Sequence, residues 1–161
     1  MPEEVYPERI ITFISALSSL DAGERARLKR NAGKTLAEGQ EALGLFYRLL
    51  PYGVPAFQEE VYFQVACLYA LVPAGSAGNL GQALGKVRKL APKHAKGIDR
   101  RLESLLDADE TQLPFRLRQA MHFLASNRVS LDWTCLLDDL LHWNHPDRTV
   151  QKEWARSYFS S

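Results

Sequence analysis

Apolar side chains recur along this chain at intervals of three and four residues, and no stretch alternates with a period of two, which predicts an all-α protein. Ile10, Phe13, Ile14 and Leu17 mark a first amphipathic helix over 7–20, opening at Pro7, a residue tolerated where a helix begins. Asp21 with Glu24 three residues on has the form of a capping box and predicts a second helix over 21–37. A third is expected over 40–50, stopping before Pro51. Pro55 opens a fourth, apolar over much of its circumference through Val61, Tyr62, Val65, Ala66, Leu68, Tyr69 and Leu71. That breadth marks it as the central helix of an N-terminal bundle.

PAGSAG, residues 73–78, is the strongest turn-rich break and divides the chain into helical subdomains at 1–74 and 75–161, two small bundles packed together, with a hinge between them. In the second, Asn79 caps a helix over 79–90 whose wheel turns Leu80, Leu84, Val87 and Leu90 inward and leaves Gly81, Gln82, Gly85 and Lys89 outward. The two glycines then either let a phosphate backbone approach a helix N-terminus or admit a neighbouring helix. Pro92 and Gly97 punctuate a basic connection before helices over 98–106, 114–126 and 130–143, the last capped by Ser130. A final helix carries Val150, Trp154, Tyr158 and Phe159.

Several classes of chemistry fit poorly. No apolar run approaches the roughly 20 residues of a membrane span, and the opening MPEEVYPERI is acidic where a signal peptide is basic, so a cytoplasmic location away from membranes is expected. Cys67 and Cys135 stand alone in apolar contexts as buried free thiols. In GNLGQALGKVRK, residues 78–89, Leu80 occupies the place of a P-loop's first glycine and Val87 that of its hydroxyl residue, which argues against a nucleotide site. AGSAG, residues 74–78, is one residue short of a nucleophile elbow, and a helix precedes it where a strand is required, which argues against Ser76 as a nucleophile. His142 and His145, with Asp138, Asp139 and Asp147 nearby, have a spacing that zinc or a metal-dependent nuclease uses, although Pro146 at the helix end opposes convergence. His94 and His122 stand apart. The expectation is a non-enzyme with no metal and no cofactor.

Charge changes the picture. Residues 23–34 hold Arg25, Arg27, Lys29, Arg30 and Lys34 against Glu24, a net of +4, and residues 86–101 hold Lys86, Arg88, Lys89, Lys93, Lys96, Arg100 and Arg101 against Asp99, a net of +6. Because the whole chain is only +1, everything else sums to −9. Such segregation suggests a surface for a polyanion. On a continuous second helix Arg27, Arg30 and Lys34 fall within about 60° of one another, opposite Leu28, Ala32 and Leu36, as a cationic rail. Arg116 and Arg118 extend the candidate set, with Tyr47, Tyr52 and Phe57 as the loosest candidates for stacking on unpaired bases.

GERARLKR (23–30), FYRLLP (46–51), GNLGQALGKVRK, LPFRLRQAMHFL (113–124) and the tail LDWTCLLDDLLHWNHPDRTVQKEWARSYF (131–159) together resemble the CasB family over nearly the whole chain. That family is the small subunit of the type I-E CRISPR surveillance complex, Cascade. The resemblance implies an all-α, two-part, non-catalytic protein present as a pair, touching the large subunit and the backbone subunits that carry the crRNA. It also implies basic surfaces that steady the target and displaced DNA strands, a role that falls here on Arg25, Arg27, Lys29, Arg30, Lys86, Arg88 and Lys89, then on Arg116 and Arg118. Lys34, Lys93, Arg100 and Arg101 join them on charge alone. Two other readings stay open: an adaptor whose cations meet acidic proteins, and a metal-dependent nuclease built on Asp138, Asp139, His142 and His145.

Overall fold

The computed structural model describes residues 6–75 and 78–160, so Ser76 lies outside the described residues. The chain is all-α: α1 (Glu8–Ser18), α2 (Ala22–Lys29), α3 (Leu43–Leu49), α4 (Glu59–Leu68), α5 (Leu80–Leu90), α6 (Ala95–Leu106), α7 (Leu113–Ser126), α8 (Trp133–Leu141) and α9 (Thr149–Phe159). Single turns of 3-10 helix lead into α3, α4 and α6.

Residues 62–68 of α4 are all buried, as its apolar circumference predicts, and α2, α7 and α8 surround it. Phe13, Phe46, Tyr62 and Phe63 meet edge to face around it, with Phe13 and Tyr62 ring centroids 4.9 Å apart. In the second half Trp143 and Trp154 lie 5.1 Å apart, each indole N–H satisfied, by the Ala108 carbonyl at 3.0 Å and the Asp139 carboxylate at 2.8 Å. One continuous set of buried residues runs from Ile10 to Tyr158, because α8 packs on both α1 and α4. Residues 72–75 are latched to the loop before α8 and to its first turn: Leu131 N–H donates to the Pro73 carbonyl, Gly75 N–H donates to the Leu131 carbonyl, both at 3.0 Å, and the Trp133 indole donates to the Val72 carbonyl.

Several expectations need correction. The second helix ends at Lys29, well short of residue 37, because the Asn31 amide donates to the Arg27 carbonyl at 2.8 Å and Gly33 turns the chain at φ +84°. Gly97 lies inside α6 and does not punctuate its approach, and Asp132, accepting from Cys135 N–H at 3.1 Å, replaces Ser130 as the cap of α8, which ends at Leu141. Gly81 and Gly85 are buried, whereas Leu90, expected inside, is exposed. Gly81 serves a neighbouring helix: a Cβ there would stand 2.1 Å from the Trp154 carbonyl oxygen, so α5 and α9 touch through backbone.

That contact makes a paired prediction. Gly81→Ala should destabilise the protein by about 1–3 kcal/mol, because backbone cannot step aside as a side chain can. Gly44→Ala, at an exposed helical position with nothing within 4 Å, should stabilise it by a few tenths to about 1 kcal/mol. Thermal unfolding of the two variants should move in opposite directions.

Candidate nucleic-acid interface

Local sequence builds both cationic segments. The Asp21–Glu24 capping box forms, Glu24 N–H donating to Asp21 Oδ1 at 2.8 Å, and starts α2 so that Arg25, Arg27, Lys29 and Arg30 all reach solvent. Asn79 and Gln82 form the matching box at the start of α5, with Gln82 N–H to Asn79 Oδ1 at 2.9 Å, and leave Lys86 and Lys89 exposed and Arg88 half-buried. Because α2 stops early, Lys34 is not part of a helical rail; it sits past the Gly33 turn, its Nζ 3.4 Å from Asn31 Oδ1.

The candidates are not equally free. Arg30 is held by Glu41 at 2.5 Å, and Arg25 donates to the Ser18 carbonyl at 2.8 Å. Arg88 Nε donates to Asp99 Oδ1 at 2.9 Å while its guanidinium lies near the rings of Tyr158 and Phe159. Tyr158 donates its hydroxyl to the same carboxylate oxygen at 2.5 Å. Those two bonds, the Tyr158 hydroxyl first, hold the Asp99 carboxyl below the ordinary aspartate range. Among the described residues, Arg27, Lys29, Lys34, Lys86, Lys89, Lys93, Arg100, Arg101, Arg116 and Arg118 form no ion pair with a carboxylate.

Where α5, α6 and α7 meet, a cleft of about 510 Å³ brings together His94, Arg100, Arg101 and Arg116 over an apolar floor that includes Leu84 and Ile98, and no carboxylate lines it. Arg101 stacks its guanidinium 4.3 Å from the Phe123 ring centroid, and Arg116 is positioned by donating to the Ser104 carbonyl. A concavity of that size with three guanidinium groups suits an anion, since no carboxylate inside it competes for their hydrogens. Arg118 leaves the opposite flank of α7 and lies against Gly33, where a Cβ would meet its Cδ at 3.0 Å. Between the two segments α7 exposes Phe115, Arg118 and His122.

The remaining candidates separate from this surface. Tyr47 donates its hydroxyl to Glu59 at 2.9 Å, Tyr52 is fully exposed, and Phe57 forms the lip of a second groove that carries Glu60 and Glu110. His142 Nδ1 lies 2.8 Å from the Asp138 carbonyl oxygen, His145 Nδ1 accepts from Asp147 N–H, and no group of three or more potential metal ligands occurs among the described residues. Cys67 and Cys135 are buried thiols, Cys135 donating to Asp139 Oδ2 at 3.6 Å, and burial pushes the Cys67 thiol up to about 12. Among the described residues no helix is long and apolar enough to cross a membrane. Sequence reasoning missed the Arg101–Phe123 stack and the Asp99–Tyr158 bond; Asp99 as the one acid among the seven cations of 86–101 was the available signal for the second.

These features define a small all-helical protein with a cationic cleft framed by three helices, and its relatives give that class a family. The model of CRISPR-associated protein Cse2 matches residues 24–159. A curated Cse2 protein from Thermus thermophilus is 33% identical over 126 residues, 73% of this chain and 72% of that one. The crystal structure of CasB from Thermus thermophilus superposes with a TM-score of 0.81 at 31% identity, covering 98% of this chain and 100% of that one. A chain of a CRISPR RNA-guided surveillance complex superposes with a TM-score of 0.80 at 22% identity over 95% of this chain and 92% of its own, a likeness of fold. The chain belongs to the Cse2 family of CRISPR-associated proteins.

Asp99 generates a pH prediction with a definite sign. A carboxylate whose folded pKa is depressed contributes stability that is full above its unfolded value, about 3.9, and is lost as pH falls through the folded one. Asp99→Asn should therefore lower stability in urea titrations at pH 7, and its deficit against the native chain should shrink as pH falls below about 4.

Proposed function

We propose that this protein is a non-catalytic small subunit of a crRNA-guided surveillance complex of the Cascade type, in which its cations hold nucleic-acid backbone and steady the target and displaced DNA strands. The carboxylate-free cleft lined by Arg100, Arg101 and Arg116 with His94 beside them carries the proposal, since three guanidinium groups converge there with no acid to balance them. Lys86 and Lys89 on the adjoining α5 and Lys93 before α6 are exposed as well, and Arg118 with His122 leads across α7 toward Lys34, Arg27 and Lys29. Arg30 and Arg88 rank lower, because each is already paired with a carboxylate, and Arg25, like Arg116, donates to a backbone carbonyl. Partners on this reading are the large subunit, the backbone subunits with their crRNA, both DNA strands and a second copy of the chain, in a cytoplasmic complex.

Phosphate contacts release counterions and read no base, so affinity should fall steeply with salt and respond little to sequence. Replacing Lys89, Arg100 and Arg101 together by alanine should leave assembly of the complex intact and lower the slope of log K against log salt by about 2–3, at roughly 0.7–0.9 per lost contact. Filter binding of the assembled complex at several salt concentrations measures this. Loss of assembly with DNA retention unchanged per complex would instead support the architectural adaptor, whose cations meet acidic proteins.

A further inference from the structure

A second concavity, of about 500 Å³, opens where the start of α4, the start of α7 and the end of α8 meet, and its chemistry is the reverse of the cationic cleft. Its walls are apolar, from Val61, Leu113, Leu117 and Leu141, and Phe57 stands at its lip 83% exposed. Its only charged lining groups are carboxylates. Glu60 is anchored through Oε2 by Leu36 N–H at 2.9 Å, and Glu110 is anchored through Oε1 by the Asn144 amide. Each anchor uses one oxygen of its carboxylate.

Gln64, also in the lining and only 5% exposed, supplies an independent observation. Its Nε2 donates to the Lys34 carbonyl at 2.7 Å and faces Glu60 Oε2 at 3.4 Å. Both neighbours are acceptors, so the amide cannot be turned over, and Oε1 is left buried with no hydrogen-bond partner. A buried carbonyl oxygen in that state costs free energy until a donor reaches it.

We infer that this groove docks a segment of a partner protein that inserts one aliphatic side chain and lays an adjacent arginine or lysine across Glu60 and Glu110. Apolar walls and two carboxylates, one of them steadied by Gln64 Nε2, specify such an occupant and repel a nucleic acid. A second copy offers exposed Leu90 beside Lys89 and Lys93, but that segment belongs to the surface assigned to nucleic acid, so a different protein fills the groove. The inference rests on the chain working inside a larger complex, as proposed above.

The test places the photo-crosslinking residue benzoylphenylalanine at position 57 in the assembled complex and maps the product by mass spectrometry. The expected product joins another subunit within a few residues of a Leu, Ile or Met flanked by Arg or Lys. In competition for incorporation, Phe57→Ala and Glu110→Lys should each compete at least about tenfold more weakly than the native chain, with unfolding temperature unchanged because both side chains are exposed. Crosslinks to the chain's own residues 86–93, to DNA or to crRNA, or native-like competition by both variants, would overturn the inference. If the chain instead fails to enter any crRNA-guided complex, the proposed function falls first, and the two failures are told apart by whether the native chain co-purifies with crRNA.

Discussion

Seven cations within residues 86–101 repel one another, and everything on this face depends on the fold holding their helices together regardless. Two devices do so. The first is backbone contact at Gly81, which brings α5 onto α9 with no side chain between them. The second is Asp99, whose carboxylate is shared by Arg88 of α5 and Tyr158 of α9, so that one negative charge ties three helices. Arg88 is thereby committed to the scaffold, and its neighbours Lys86 and Lys89 remain available because it is. The one acid of this segment is spent on the helix junction, and no carboxylate lines the cleft.

What was legible in the sequence was local. The Asp21–Glu24 capping box and the Asn79 cap are written within four residues and form as read, Gln82 completing a second box around Asn79. The apolar circumference of residues 61–71 marks the central helix because burial on all sides needs no knowledge of which neighbours do the burying. The end of α2 was not legible, since Leu28, Ala32 and Leu36 keep helical spacing past the point where Asn31 takes the Arg27 carbonyl and Gly33 reverses the chain. A wheel also cannot decide which way Gly81 faces, because it sits beside the apolar stripe and only the position of Trp154, 73 residues later, settles it.

The same distinction holds for the candidate site. Clustered charge is visible in one dimension, but the cleft needs Arg116 from α7 beside Arg100 and Arg101 of α6, an alignment set by helix packing. The acidic groove was invisible for a related reason: Gln64 reads as an unexceptional polar residue until its nitrogen is known to be spoken for. Two concavities of opposite chemistry then flank α7, one against α5 and α6, the other against α4 and α8. A single helix separates a surface suited to anions from one suited to cations.

The latch across residues 73–75 has a mechanical consequence. A glycine-rich connector would ordinarily behave as a swivel, yet here its backbone is paired with Leu131 on both sides and roofed by the Trp133 indole on Val72. Swinging one half against the other would have to break those bonds and bare a tryptophan that is 1% exposed. Residues 72–75 therefore act as a brace: rotation about them has to break these bonds before it can proceed.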